Sequence, residues 1–244
     1  MKKLITYTIS ANDKKWKNSL DKNESFTYLN KQVISSLKCG WKPNDIIIAT
    51  NFNYEFLNVK AFNIEDLFKN QVGCCLSKYI GLNWAIETFN ENIWLNDHDN
   101  FQIQKFDTKQ IDYILNSYYI YCSGKIKKTK NNKQKIQWSD LSIFFSPKCK
   151  NYINNFIDKY KNLNTSKGAG FKAAEFFFKH IESKILMENY YKYPYRFNVA
   201  SDNLDAWRSR IYKFEKNKIL PFCIHGKLDN LAFKNASEYL NVCI

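Results

Sequence analysis

The sequence predicts an α/β fold in which helices flank a mixed central sheet. Strand and helix patterns alternate through the first half of the chain, and the strand segments are apolar and rich in β-branched residues. Such continuously apolar strands are typical of parallel sheets, which are covered by helices on both faces. The chain has 244 residues, 45% of them hydrophobic, which is enough to bury the core of one domain.

The first half of the chain is predicted to form a Rossmann-like unit. Apolar residues at helical spacing predict two helices, and Gly40 ends the first of them. The strands are predicted at 3–9, 46–50, 59–62 and 93–95, and the helices at 26–37 and 76–89. Right-handed crossovers place the carboxyl ends of such strands at one edge of the sheet, where open α/β sheets bind their ligands.

The second half is less regular. Strands are predicted at 118–122, 136–145 and 219–224, and helices at 151–160, 171–189 and 204–214. A lysine-rich loop over 125–135 joins the first two of these strands, and His225-Gly226-Lys227 follows the last one. We find no internal repeat and no linker, so the sequence predicts a single domain over 1–244.

The charge of the chain suggests a nucleic-acid partner, but the residue types argue against one. The net charge is +14, yet only Arg196, Arg208 and Arg210 are arginines. Proteins that read base edges and phosphates favour the planar fork of arginine over lysine. We therefore predict no specific nucleic-acid partner and interpret the lysine loop as a solvated segment, with binding of an anionic partner as the alternative.

Cysteine usage and hydropathy indicate a cytoplasmic protein. The seven cysteines are scattered, odd in number and without a C-x-x-C pair, which favours reduced thiols over disulfides or a zinc site. No apolar run approaches the roughly 18 residues that a membrane span needs. The amino-terminal segment also has no signal-peptide cleavage pattern, so we predict neither secretion nor a membrane span.

The segment Asn96-Asp97-His98-Asp99 is the strongest candidate for a functional site. It follows a short apolar strand, and alternation along an extended backbone places the two aspartates on the same side. Two carboxylates that converge in this way are suitable ligands for one hard cation. A simple turn is the alternative interpretation, because aspartate is also common in turns. We interpret the segment as a metal site that holds a phosphorylated ligand.

This D-x-D motif, the Rossmann-like half before it and the late strand-His-Gly-Lys together resemble the metal-dependent nucleotide-sugar glycosyltransferases of the GT-A fold. The pattern is most similar to small viral and bacterial members, with a glycogenin-like arrangement of motifs. Segments 41–62 and 94–102 also resemble those of uncharacterised members. The resemblance implies one glycosyltransferase domain, with a nucleotide-binding half over 1–100 and an acceptor-binding half over 101–244.

The resemblance also implies a metal site. Asp97, Asp99 and His225 match the positions whose side chains bind Mn²⁺ or Mg²⁺ in that group, where the metal carries the diphosphate of the sugar donor. Carboxylate oxygens suit either ion, and one imidazole shifts the preference toward Mn²⁺. The implied partners are a nucleoside-diphosphate sugar and a glycan or another hydroxyl acceptor.

Four further residues are assigned to donor binding. Lys78 matches a basic donor-binding position of the glycogenin-like group, and Lys227 adds positive charge after the late histidine. Thr8 and Asn12 lie at the end of the first strand and in the loop that follows it. All four are expected at the ligand-binding edge of the sheet.

The catalytic base is the least determined part of the site. A reaction that inverts the anomeric centre needs a carboxylate to accept the proton of the acceptor hydroxyl. Glu175, early in a predicted helix, and Asp140, in a predicted strand, are the two candidates. A reaction that retains the configuration needs no such base, and both outcomes remain open.

Two other classes of protein are weighed against this interpretation. A metal-dependent nucleotidyltransferase or nuclease also uses paired aspartates, but further carboxylates close in sequence would be expected for a second metal. Asn96 and Asn100 flank the pair instead. A basic nucleic-acid-binding protein would account for the charge but not for two carboxylates at the end of a buried strand.

Overall fold

The structure is a computed structural model that describes ten segments of the chain. These are residues 1–7, 22–64, 71–97, 100–102, 107–128, 134–161, 169–189, 191–192, 210–213 and 223–225. Five helices lie in these segments: α1 (Lys22–Lys38), α2 (Gln71–Phe89), α3 (Thr108–Ser117), α4 (Lys150–Tyr160) and α5 (Ala169–Ile181). Short 3₁₀ turns precede β2 at Pro43–Asp45, α4 at Pro147–Cys149 and β9 at Glu182–Lys184.

The strands of the same segments are β1 (Lys2–Tyr7), β2 (Ile46–Thr50), β3 (Glu55–Phe56), β4 (Val59–Asn63), β5 (Ile93–Asp97), β6 (Asn100–Gln102), β7 (Ile120–Lys128), β8 (Gln134–Phe145), β9 (Ile185–Asn189), β10 (Tyr191–Lys192), β11 (Arg210–Lys213) and β12 (Cys223–His225). They form an eight-stranded sheet of order β3-β4-β2-β1-β5-β8-β7-β9 and a four-stranded sheet of order β10-β11-β12-β6. The predicted α/β fold with a mixed central sheet is therefore confirmed.

The central part of the large sheet is parallel. β1 pairs in parallel with β2 on one side and with β5 on the other, and Leu4 lies between Ile47 and Leu95. β4 continues the parallel order beyond β2. β8 then runs antiparallel between β5 and β7. The carboxyl ends of β1, β2, β4 and β5 consequently meet at one edge, called the ligand edge below.

Helices bury both faces of the central strands, which explains why β1, β2 and β5 are mainly apolar. Neighbouring residues of one strand face opposite ways: Leu4 joins the core layer of α2, α4 and α5, whereas Ile5 joins the layer of α1 and α3. Trp94 and Leu95 of β5 divide in the same way. In a strand with two buried faces a polar residue such as Lys3 is itself buried and needs hydrogen-bond partners.

Most of the first half agrees with the sequence prediction. α1 ends before Gly40, whose φ of 92° lies in the left-handed region, and its N–H donates to the Leu37 carbonyl at 2.9 Å. The predicted strands at 46–50 and 93–95 are present, the second extended to Asp97. β3 and β6 were not predicted, because each is too short to give a periodic pattern. α3 was missed although Ile111 and Leu115 have the spacing of one helical face.

Two helix predictions for the second half are wrong, and the predicted lysine-rich loop over 125–135 is too long, because β7 extends to Lys128 and pairs there with β8, which begins at Gln134. The helix predicted over 171–189 ends at Ile181, and 185–189 form β9, which pairs in parallel with β7. Residues 210–213, predicted as part of a helix, form β11 between β10 and β12. In both cases pairing with a distant strand outweighs the local helical pattern. Residues 204–209 and 214 of that prediction lie outside the described segments.

No helix in the ten segments is long and apolar enough to cross a membrane. Cys39, Cys122 and Cys149 are free thiols, and the last two are buried. Burial raises the pKa of the Cys149 thiol well above its ordinary value, and its Sγ donates to the Ser146 carbonyl at 2.8 Å. These thiols agree with the prediction of reduced cysteines for the part of the chain that is described.

Candidate functional site

Asp97 lies at the ligand edge, where the sequence places the first carboxylate of the D-x-D motif. It is the last residue of β5 and stands in register with Thr6 of β1. Its side chain is only 13% exposed. A carboxylate in such a place needs a charged or hydrogen-bonding partner to offset the loss of water.

Lys78 supplies that partner. Its ammonium donates to Asp97 Oδ2 at 2.5 Å, and the lysine side chain is itself 14% exposed. α2 leads from the carboxyl end of β4 back to the start of β5, so its first turns lie toward the ligand edge. The sequence assigned Lys78 and Asp97 to separate tasks, donor binding and metal binding. The structure brings the two side chains into direct contact.

The backbone of Asp97 is also held in place. Gln32 of α1 donates from its side-chain amide to the Asp97 carbonyl at 3.1 Å. Thr6, which is 2% exposed, has a hydroxyl with no hydrogen-bond partner in the part of the chain that is described. Its methyl group faces Gly81 of α2, so Thr6 lies on the same face of the sheet as Lys78. Sequence analysis missed both residues, although strand alternation from Thr8 would have pointed to Thr6.

The late histidine returns to the D-x-D motif through the small sheet. β12 pairs antiparallel with β6, and His225 stands opposite Asn100, the residue that follows Asp99. The pairing concerns the backbone, since the side chain of His225 is outside the description. The two segments are more than one hundred residues apart in the chain, so the spacing of the motifs could not predict that they pair.

The remaining predicted metal ligand and donor-binding residues lie outside the described segments. They are Asp99 for the metal and Thr8, Asn12 and Lys227 for the donor. In the segments that are described, no group of three or more histidine, cysteine, aspartate or glutamate side chains is placed to hold a metal ion. Of the three predicted metal ligands, Asp97 is therefore the one whose side chain the structure describes. It offers the hard oxygen ligand that Mn²⁺ or Mg²⁺ requires, and in that respect the site fits such a cation.

The two candidate bases occupy different places. The pairing of β8 with β5 ends with Ser142 opposite Asn96, and Asp140 precedes Ser142 by two residues, in a stretch where the pairing of β8 with β7 is irregular. The side chain of Asp140 is outside the description. Glu175 is exposed on α5 near Tyr160 of α4. Burial raises the pKa of Tyr160, and the negative charge of Glu175 raises it further. Both assignments stay predictions.

A buried polar cluster of Lys3, Ser36 and Gln102 was not predicted at all. Gln102 of β6 is 1% exposed and Lys3 of β1 is fully buried. Lys3 Nζ donates to Gln102 Oε1 at 3.2 Å and to Ser36 Oγ of α1 at 2.7 Å. The only sequence signal for this cluster is a lysine inside an apolar strand, where it breaks the hydrophobic pattern.

Comparisons with known proteins bear on the fold. Neither a protein-family model nor a curated protein matches the chain. A glycosyltransferase involved in the glycosylation of the major capsid of PBCV-1 superimposes with a TM-score of 0.51 at 11% identity, over 78% of this chain and 82% of that chain. The glycosyltransferase GlyE of Streptococcus pneumoniae gives 0.44 at 7% identity, over 76% of this chain and 45% of that chain.

A third solved structure, 4-diphosphocytidyl-2C-methyl-D-erythritolsynthase from Anaerococcus prevotii, gives a TM-score of 0.44 at 10% identity, over 77% of this chain and 88% of that chain. The PBCV-1 enzyme is the match that exceeds 0.5 among these three, and it shows the fold. The chain shares the α/β fold of this glycosyltransferase, which is consistent with the Rossmann-like GT-A domain that the sequence resemblance implied.

Proposed function

We propose that the chain is a glycosyltransferase that moves a sugar from a nucleoside-diphosphate sugar to an acceptor hydroxyl, with a divalent metal bound by the D-x-D motif. The observation that carries the proposal is the position of Asp97 at the carboxyl end of β5, on the ligand edge beside the end of β1. A fold shared with a solved glycosyltransferase supports it. Fold alone does not define activity, so the proposal rests on the site.

Asp97, Asp99 and His225 would hold Mn²⁺ or Mg²⁺. When bound, the cation supplies Lewis-acid stabilisation of the negative charge that develops on the leaving diphosphate. Two carboxylates and one imidazole are a ligand set suited to Mn²⁺. The pairing of His225 with Asn100 supports this assignment, because it brings the backbone of the third ligand next to the motif.

The basic and polar residues of the ligand edge would bind and orient the donor. Lys78 is already held at this edge by Asp97, and its ammonium would pair with a diphosphate oxygen once the donor is present. Lys227 is proposed for the same diphosphate. Thr8 and Asn12, which follow β1, are proposed to contact the nucleotide. We propose that residues 1–100 form the nucleotide-binding half, to which Lys227 adds a donor contact, and that 101–244 form the acceptor-binding half.

Glu175 and Asp140 are the two candidate bases. Asp140 lies in β8, which pairs with β5 as far as Ser142, and Glu175 lies on α5 near Tyr160. In an inverting reaction, one of these two carboxylates would accept the proton of the acceptor hydroxyl. The acceptor itself is proposed to be a glycan or another hydroxyl compound, and the free thiols support a cytoplasmic location.

Thermal unfolding in the presence of Mn²⁺ and a panel of nucleoside diphosphates tests the proposal. A ligand that binds only the folded chain stabilises it by about 2.7 kcal/mol at a hundredfold excess over its Kd. For a chain of this size we expect the midpoint to rise by about 5 to 10 °C with the correct nucleotide and metal together. A midpoint that no nucleoside diphosphate changes would contradict the proposal.

The variant Asp99→Ala links that stabilisation to the motif. We expect it to remove metal-dependent nucleotide binding and to leave the unfolding midpoint of the unliganded chain nearly unchanged, because the proposed role of Asp99 is to bind the metal. Asp158→Ala is the matched control, since Asp158 is an exposed aspartate of α4 that pairs with Lys161. UDP or GDP affinity in Asp99→Ala equal to that of the unchanged chain would exclude the assignment. Isothermal titration gives both affinities.

A further inference from the structure

The segment 97–102, called the D-x-D segment here, is held at both ends by α1. At one end, the side-chain amide of Gln32 donates to the Asp97 carbonyl at 3.1 Å. At the other end, the hydroxyl of Ser35 donates to the Gln102 carbonyl. One helix therefore fixes the backbone on either side of the two residues that complete the motif.

The side chain of Gln102 adds a second attachment. Its Oε1 accepts hydrogen bonds from Lys3 Nζ at 3.2 Å and from Trp41 Nε1 at 2.9 Å. The Cys39 thiol also lies within reach of the Gln102 carbonyl, at 3.6 Å. Both the backbone and the side chain of Gln102 are thus bonded to the core. Hydrogen bonds are directional, so together they define one position for β6.

Lys3 has the largest desolvation cost in this cluster, because it is a buried ammonium group. Burial of an ammonium group is costly unless hydrogen bonds or charges offset the lost hydration. Lys3 Nζ donates to Ser36 Oγ at 2.7 Å, and it lies 4.5 Å from the centre of the Trp94 ring, which faces it as a cation–π partner. An apolar residue would suit this fully buried position of β1 better if stability alone were at stake.

The polar residues of α1 form one face of the helix. Gln32, Ser35 and Ser36 follow the i, i+3, i+4 spacing of a single helical face, and all three are buried. A helix over a sheet normally presents apolar residues, as α1 does with Leu29 and Val33. The polar face is the part of α1 that is bonded to the D-x-D segment and to Lys3.

The hydrogen bonds to Gln102 oppose a change of register in β6. The ladder between β6 and β12 is three residues long, so few hydrogen bonds of its own oppose a slip. A slip of one residue would turn every side chain of β6 to the opposite face. It would also break the four hydrogen bonds to Gln102, which are directional and add to the preference of the buried face for one register.

We propose that Gln32, Ser35, Ser36, Lys3 and Gln102, called the Gln102 clamp, are positioning residues for the D-x-D motif. The clamp sets the register of β6 on β12 and so places His225 opposite Asn100. Through that placement it sets the affinity for metal and nucleotide. The second part rests on the proposed function, whereas the first concerns the backbone alone.

Hydrogen exchange read by mass spectrometry tests the first part without any ligand. Lys3→Met and the milder Ser35→Ala each remove a bond of the clamp. We expect the amides of 100–102 and 223–225 to exchange about tenfold faster in both variants, while those of β2 and β4 keep their rates. Lys2→Met and Ser146→Ala are the matched controls, because these residues are bonded elsewhere and not to the clamp.

Two exchange results would overturn the proposal. One is an unchanged rate at 100–102 and 223–225 in both clamp variants. The other is an equal increase over the whole sheet, which is the result expected of general destabilisation. If Lys3→Met does not fold, Ser35→Ala decides, since it removes one hydrogen bond between neutral groups and leaves the buried ammonium with its partners.

Titration of UDP or GDP with Mn²⁺ tests the second part. In Ser35→Ala, we expect the Kd of the metal and nucleotide together to rise about tenfold, with no change in Ser146→Ala. Faster exchange at β6 with an unchanged Kd would overturn the positioning role. If the unchanged chain binds no nucleoside diphosphate, the proposed function fails, and the exchange rates still decide whether the clamp sets the register.

Discussion

At the scale of single residues, the contact between Lys78 and Asp97 has a consequence for metal binding. The lysine ammonium already occupies Asp97 Oδ2, and both side chains are shielded from water. A divalent cation that binds Asp97 has to compete with this internal cation. The pair therefore opposes metal binding in the absence of a donor, whereas a diphosphate offers Lys78 another anionic partner.

Replacement of Lys78 tests this competition. In Lys78→Met, we expect the Kd for Mn²⁺ alone to fall about tenfold, because Asp97 loses its internal partner. The nucleoside diphosphate at saturating metal should bind more weakly, with a higher Kd, because the site loses a positive charge. Isothermal titration measures both, with Lys148→Met as a control at a lysine bonded to the Asn116 carbonyl. Weaker binding of Mn²⁺ alone would contradict the competition.

At the scale of elements, the approach of α2 to the sheet depends on Gly81. A Cβ added there would lie 3.0 Å from the Cβ of Ala49 and 3.3 Å from the Cδ1 of Ile64. Both contacts are tighter than ordinary packing, so the helix would have to move away from the sheet. Lys78 lies one turn before Gly81 and would move with it, away from Asp97.

Gly81→Ala should therefore destabilise the chain although alanine is the better helix former. We expect a loss of about 1 to 2 kcal/mol in the free energy of unfolding, because overpacking outweighs the helix propensity. Urea unfolding measures the change. Thr88→Ala is the control, since Thr88 is exposed on the same helix and its replacement meets no neighbour in the core. A gain in stability in Gly81→Ala would show that the space between α2 and the sheet accommodates a methyl group without overpacking.

Two element predictions failed for a shared reason. Ile185-Leu186-Met187 continues a helical pattern but pairs with β7, and Arg210 to Lys213 pairs with β12. Local propensity is weak compared with the burial and hydrogen bonding that a neighbouring strand supplies. A single sequence does not show which distant strand has an open edge, so these segments were assigned from local pattern alone.

At the scale of the whole molecule, the charge of +14 should produce only weak binding to nucleic acid. Nearly all of the charge is lysine, and non-specific electrostatic binding falls steeply with salt. We expect measurable binding to a mixed-sequence duplex near 50 mM salt and its loss by about 200 mM. Fluorescence anisotropy across a salt series checks this. Binding that stays tight at about 200 mM would favour the nucleic-acid alternative.

The sequence by itself determined the order of the first elements and the place of Asp97. Apolar β-branched strands, helical spacing and Gly40 are local signals, and local signals are sufficient for elements that neighbours in sequence build. The α/β fold followed, because alternating strands and helices have few ways to pack. The predicted roles of Asp99, His225, Asp140, Glu175 and the donor-binding residues remain predictions.

Only the tertiary structure decided how distant residues meet. It joined Lys78 to Asp97, set β12 beside β6, and enclosed Lys3 with Gln102. These contacts link segments far apart in the chain, and their geometry depends on how helices lie over the sheet. Sequence spacing records neither the packing distance at Gly81 nor the register of β6. Both are set by side-chain volume and directional hydrogen bonds in the folded chain.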